Sequence, residues 1–415
     1  MASQVLKHQP QQPSHRHYSS HVKSTLILSV LALVVGCLVA LIDVVFGKVL
    51  FAVNDIRIAH PWYFIPFLSI AGLLVASIYN LCGGECYRGM ALIFEAGHGE
   101  KERIPLRLMP AAIVTTWITQ LFGGSTGREG VGVQIGAIVG HRIGRFIKME
   151  DASKILLLTG IAAGFAGLFQ TPIAAFFFAL EVLTAGRLEY EALIPIFIGS
   201  FSASYVSRTL GLPAFVHMFG MHLNISWPLA FKLVVLGIIF GITGGVFAYA
   251  LHGLRDYLRA KFPNKPFLKI FLGGLILTVL LLAFGGGRYA GLSESLITQA
   301  FSGTSYWYDF ALKMLLTIIT LAVGFRGGEV MPLFVIGATL GAALAPLTGI
   351  TPGIVVALGF VAVFGAGTNT MLAPLFVGAE LFGYQLLPLF FVVCVVGYFF
   401  NGNKSIYIAQ KQEMV

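Results

Sequence analysis

Two glutamates introduced by glycine open long apolar stretches of this chain. Gly127-Arg128-Glu129-Gly130 leads into Val131-Gly132-Val133-Gln134-Ile135, and Gly327-Gly328-Glu329-Val330 leads into Met331-Pro332-Leu333-Phe334-Val335. Glycine lets successive backbone N–H groups face one point, and a helix start adds the positive end of its dipole, so each phrase invites an anion. A carboxylate placed there is itself an anion at that seat, and protonation removes it. The pairing is the chemistry of an anion pathway linked to protons. The competing reading of each acid is a cap on free N–H groups or, for Glu329, an ion pair with Arg326 or Lys313.

The elements that must hold these acids are membrane helices. The chain has 415 residues, 57% hydrophobic and only 11% charged, with a mean hydropathy of +0.85. Apolar runs near the ~20 residues that cross a hydrocarbon core recur at 24–46, 62–82, 229–251, 267–284 and 314–323. An all-α polytopic membrane protein is expected. The net charge of +9 is scattered over short polar segments rather than gathered in one stripe, which excludes a nucleic-acid partner and fits a bias of Lys and Arg toward cytoplasmic segments. Residues 1–23 carry His15, Arg16, His17, His21 and Lys23 without an acid and read as a disordered cytoplasmic tail, the histidines solvated rather than metal-binding. Cys82 and Cys86 read as two thiols near a helix end, with neither a disulfide framework nor a metal pair. No motif calls for a cofactor.

Several apolar stretches are interrupted. Segment 160–185 contains Gly160, Gly164, Gly167 and Pro172, with Glu181 inside it; segment 361–381 contains Gly365, Gly367, Pro374 and Gly378, with Glu380 near its end. Broken helices persist at membrane depth only where protein or a water-filled cavity satisfies the freed backbone groups. The breaks also repeat: Pro172 follows Glu129 by 43 positions (172 − 129) and Pro374 follows Glu329 by 45 (374 − 329). Such repetition marks a transporter built from two repeats, with its site at their interface. The expected division is a tail at 1–23, a first transmembrane half at 24–210, a connector at 211–228, a second half at 229–408 and a short tail at 409–415.

These motifs, in order, resemble the CLC chloride channel and antiporter family. Gly127-Arg128-Glu129-Gly130 is similar to its GREGP phrase, Gln170-Thr171-Pro172 through Glu181 to its NAP…E segment, and Gly327-Gly328 through Pro332 to its GGxFxP phrase, over about residues 25–410. The departures matter as much. Met90 stands where chloride-type members carry the serine of GSGIP, Val131 replaces the proline after GREG, and Val182 stands where chloride antiporters carry an inner glutamate. Glu329 and Val330 fill positions that chloride types give to apolar residues. Together these resemble the fluoride/proton antiporter branch, whose usual phrase is GGEVTP; Met331 stands at the threonine.

The resemblance implies the CLC fold, two inverted repeat halves of tilted and broken helices, and export of fluoride in exchange for protons. It implies Glu129 as gate and proton carrier with Glu329 as a second acid. The anion seat implied is Gly127, Arg128, Gly130, Val131, Met90, Val330, Met331 and Tyr407, with Phe94 and Lys313 beside the path. Bland alternatives stand next to these: Arg128 as a snorkelling anchor, Met90 and Met331 as gap fillers, Tyr407 as an interfacial residue and Phe94 as packing. Glu181 reads as structural, and Thr368 and Asn369 as backbone elements of the second break. The family implies membrane lipid around a homodimer with one pathway per subunit, in a bacterial inner membrane with both termini cytoplasmic. The rival on the same scaffold is a chloride/proton antiporter or passive anion channel. An enzyme is excluded: Gly123-Gly124-Ser125-Thr126-Gly127 fits G-x-S-x-G, but it lacks a partnering histidine.

Overall fold

The computed structural model describes residues 15–220 and 226–413. Residues 1–14, 221–225 and 414–415, parts of the expected tails and connector, lie outside the described residues. The chain is helical almost throughout. Its first part runs α1 (His15–Ala59), α2 (Pro61–Phe64), α3 (Leu68–Cys82), α4 (Met90–Gly97), α5 (Leu108–Leu121), α6 (Glu129–Gly144), α7 (Ala152–Phe169), α8 (Pro172–Glu181) and α9 (Leu193–Thr209). Its second part runs α10 (Trp227–Lys261), α11 (Pro266–Ala283), α12 (Glu294–Ser302), α13 (Asp309–Val323), α14 (Val330–Thr348), α15 (Pro352–Thr368), α16 (Leu372–Phe382) and α17 (Leu387–Phe400).

Three details correct the expectations. Helix α1 begins at His15, inside the segment read as a tail to residue 23, because nothing in that stretch breaks a helix. The described part of the 409–415 tail, to residue 413, is anchored: β2 (Lys411–Gln412) pairs in parallel with β1 (Thr184–Ala185), and Gln410 donates to the carbonyls of Val182 and Thr368. Cys82 and Cys86 are joined in a disulfide rather than being separate thiols. Gly83, at φ 98°, turns the chain from the end of α3 into a tight 3-10 coil (Gly84–Arg88) that brings Cys86 back under Cys82.

Six of the described helices are long and apolar enough to cross a bilayer, Lys23–Ala59 and Trp227–Lys261 among them. Large apolar side chains such as Trp227, Phe231, Leu81 and Phe399 face outward, where hydrocarbon rather than water is the compatible surrounding. Helices α7 and α15 are different. Nearly every residue of both is buried, so they form the inner wall rather than the lipid face.

The same local structure occurs in both halves. Helix α7 ends at Gln170 and α15 at Asn369, both left-handed with φ of 57° and 54°. A proline then opens α8 at Pro172, and Pro374 lies in the first turn of α16. Each inner helix crosses the helix before it at a glycine pair. A Cβ on Gly136 of α6 would sit 2.0 Å from the Gly160 carbonyl oxygen of α7, and one on Gly337 of α14 would sit 2.1 Å from that of Gly359 in α15. The backbones therefore touch directly, the small-residue contact that replaces hydrophobic driving force in lipid.

Gly136→Val inserts atoms where there is no space. It is expected to cost roughly 1–3 kcal/mol or more and to lower the unfolding temperature in detergent strongly. Gly253→Ala, with nothing within 4 Å of the added carbon, should leave that temperature unchanged or slightly raised.

Candidate functional site

The two glycine phrases meet. Gly127 N–H donates to the Gly328 carbonyl and Gly328 N–H to the Gly127 carbonyl, both at 2.7 Å, an isolated antiparallel bridge. Cβ atoms are excluded here: one on Gly328 would lie 2.9 Å from Gly130 N and 3.1 Å from Arg128 N, and one on Gly127 would lie 2.6 Å from Met331 Cβ. The starts of α6 and α14 are thus pinned together, one from each half. A second reciprocal pair holds the breaks. Glu181, near the end of α8, accepts the amides of Met371, Leu372 and Ala373 at the start of α16. Glu380 of α16 accepts those of Ile173 and Ala174 at the start of α8. Each carboxylate satisfies orphan donors of the other half's helix, a contact in keeping with the structural reading of Glu181.

Glu129 is fully buried at the first position of α6. Its carboxylate folds back, accepting the Arg128 backbone N–H and the Arg128 Nε–H, each at 3.3 Å. Arg128 is buried too, its guanidinium 4.3 Å over the Phe51 ring of α1, which corrects the snorkelling alternative. Its Nη2 also reaches Glu294 of α12 at 3.7 Å.

On one side of this junction lies a cavity of about 760 Å³. Met90, Phe94, Gly130, Val131, Glu329 and Tyr407 line it, with Arg88, Arg255, Arg259, Lys265, Lys269 and Arg326 around them. Buried Tyr407 packs at a tilt against Phe94, ring centroids 4.9 Å apart, and its hydroxyl has no hydrogen-bond partner among the described residues. Met90 and Phe94 are thus wall residues. Glu329 corrects the sequence reading of its partner: it pairs with Arg255 of α10 at 2.8 Å, rather than with Arg326 or Lys313. Nor does its side chain cap α14. Arg326 lies instead over the Tyr79 ring at 4.0 Å.

The remaining expected residues do not line the cavity. Gly127, Val330 and Met331 form the buried junction behind it, Met331 packed on Gly127. Lys313 is fully buried and donates to Ser125 Oγ, Ser293 Oγ and the Gly291 carbonyl at 2.8–2.9 Å. It ties the loop before α6 to the loop before α12. Ser125, the serine of the G-x-S-x-G phrase, is occupied by that lysine and by Thr317 in a loop rather than at a strand–helix turn. Asn369 uses its side chain as well as its backbone, bonding Asn401 and Asn403.

The cavity and the Arg128–Glu294 pair are on opposite faces. Helix α11 begins beside the cavity at Lys269 and Ile270, and after it ends, Gly287 comes against Ile65, ahead of α3. The C-terminal half of α3, by contrast, contributes Val75, Ala76 and Tyr79 to the cavity. Sequence reasoning overlooked three residues here: Arg255, read as one of many scattered basic residues; Glu294, an unremarked acid opening a short helix; and Asp43, fully buried in α1 against Gly167, with neither oxygen hydrogen-bonded among the described residues. The apolar run around Asp43 was the one available signal, since acids inside such runs are costly.

Helix starts and carboxylates converging between two faces of a bilayer define a membrane ion-transport protein. Comparison then places it. The family described as voltage gated chloride channel matches residues 69–402, and the chain belongs to that family. A curated relative, the chloride/fluoride channel protein of Pseudomonas syringae pv. tomato, is 37% identical over 362 residues, 86% of this chain and 80% of the relative. A solved structure of a CLC-type fluoride/proton antiporter superposes with a TM-score of 0.92 at 43% identity, covering 97% of this chain and 100% of that one. A slow cyanobacterial Cl−/H+ antiporter superposes at 0.80 with 22% identity, covering 92% and 96%, a likeness of fold.

Gly328→Ala puts a carbon 2.9 Å from Gly130 N, so the backbone of the bridge must shift. Ion flux through reconstituted protein is expected to fall roughly ten- to a hundred-fold, with elution and helical content as in the parent.

Proposed function

We propose that the protein is a secondary active transporter that exports fluoride in exchange for protons. The observation that carries this reading is the position of Glu129. A titratable carboxylate rests on a backbone amide and a guanidinium at a helix start, sealed between the cavity and the opposite face. Ionised, Glu129 fills the seat that an anion would take; protonated, it loses its attraction to Arg128 and yields the seat. Fluoride and the carboxylate therefore exclude one another, which is what couples the two fluxes. Fluoride holds water tightly, so fixed N–H groups and the Tyr407 hydroxyl substitute for that water, while Met90 supplies an apolar wall where chloride types have serine.

Glu329 takes the second proton role. Its place on the cavity wall beside Arg255 lets it exchange protons with that compartment and compete with the entering anion for the basic rim. The basic residues crowded at the cavity support reading that face as cytoplasmic, with the described C-terminal segment on the same side through Ile408 and Ala409. The two halves, 24–210 and 229–408, act as inverted repeats around the Gly127–Gly328 bridge. By similarity to the family, the working unit is a homodimer in the plasma membrane with one pathway per subunit, and the chain carries out no enzymatic reaction.

The test is efflux from liposomes loaded with fluoride or chloride, followed by ion-selective and pH electrodes together. Fluoride moving much faster than chloride, with protons counter-moving, supports the reading; equal rates for the two halides remove it. Glu129→Gln should abolish proton movement driven by a fluoride gradient. Glu329→Gln should slow turnover roughly ten-fold or more, consistent with loss of a partly buried charge partner.

A further inference from the structure

Arg128 is shared. Its Nε serves Glu129 at 3.3 Å, while its Nη2 faces Glu294 at 3.7 Å. Glu129 is sealed, but the Glu294 side chain retains 37% of its exposure. Glu294 is thus the carboxylate through which the face opposite the cavity touches the Arg128–Glu129 pair. A pair 3.7 Å apart with one partner partly exposed contributes little to folding, whereas a charge beside a buried ion pair acts on it with little screening.

We propose that Glu294 is a positioning residue that sets how readily Glu129 takes up a proton, by contesting the guanidinium of Arg128. This rests on the reading of Glu129 as the proton carrier. Ionised Glu294 repels ionised Glu129 and draws off part of Arg128, so Glu129 is protonated more easily; a neutral Glu294 leaves Arg128 to Glu129 and holds it ionised. Burial pushes the Glu294 carboxyl above its ordinary range, Arg128 opposes this, and Glu129 and Asp55 add to the rise. The proton-accepting behaviour of the site is therefore divided between two acids, only one of which touches solvent.

The other charges around the pair are accounted for. Helix α1 presents Asp43, acted on by Arg128, and Asp55, as well as Arg57, whose guanidinium lies against Gly291 and donates to the Gln120 carbonyl. Lys313 of α13 is spent on Ser125, Gly291 and Ser293. Glu95 of α4 is bound to Arg88 and Lys154 of α7 to Glu189. Helices α14 and α15, packed against α12, carry no charged residue. Nothing on these elements substitutes for Glu294 at Nη2 of Arg128.

Fluoride efflux with the same pH inside and outside the liposomes, scanned over pH, tests this without regard to the orientation of inserted protein. The pH of half-maximal turnover should fall by roughly half a unit or more in Glu294→Gln and Glu294→Ala, the effect of removing one like charge near a buried acid. The proton-to-fluoride ratio should stay as in the parent, and Glu294→Asp, which keeps the charge, should lie between. Either neutral variant that folds suffices. A rate lowered equally at every pH, with the midpoint unmoved, overturns the proposal and leaves Glu294 structural, as does a midpoint that rises. Parent protein that moves fluoride without protons removes the Glu129 reading itself, and this inference with it.

Discussion

A helix start buried in a membrane must find something negative for its amides, and that requirement organises this molecule. The starts of α8 and α16 are answered by Glu380 and Glu181, each reaching across from the other half. The starts of α6 and α14 are pinned to each other by the Gly127–Gly328 bridge, which uses up only two N–H groups. On the proposed function, what is left over at that junction is a place for an anion. Glu129 lies against it, on the amide and guanidinium of Arg128. If Glu129 is the gate proposed above, capping and transport are the same electrostatic problem, answered permanently at one pair of helix starts and reversibly at the other.

Reversibility depends on close packing. The glycine crossings of α6 on α7 and α14 on α15 bring backbones into contact, so the helix starts are held by rigid elements rather than by loops. Lys313 adds to this from the side, fastening the loops before α6 and α12 to one another through Ser125, Gly291 and Ser293. A carboxylate that exchanges places with an ion needs such a frame, because only the acid and the ion are then free to move. The tilted aromatic contact of Tyr407 with Phe94 packs the cavity wall.

Charge is distributed unequally about the junction. One face offers a cavity rimmed by arginines and lysines, with Glu329 tied to Arg255. The other offers Arg128, with two acids contending for it. On the proposed reading, an anion is drawn in from the first face by long-range attraction, and Glu129 takes up its proton under the influence of the second. The asymmetry is imposed on a frame whose two halves are otherwise built alike.

Much of this was legible before any coordinates. Apolar runs set the membrane class, since no soluble surface could be made from so few charges. Glycine before Glu129 and Glu329, and proline after the breaks, located the helix starts, because those two residues act on the local backbone whatever surrounds them. Tertiary structure alone decided the pairings. That Glu329 meets Arg255 across 74 positions, that Lys313 bonds Ser125, Gly291 and Ser293, and that Glu294 shares Arg128 depend on where separate helices end in space. Spacing along the chain carries no record of that. The Cys82–Cys86 disulfide and the anchoring of Lys411–Gln412 on Thr184–Ala185 likewise follow from how the chain turns and returns. Local chemistry is written in neighbouring residues; which charges face one another is written only in the packing.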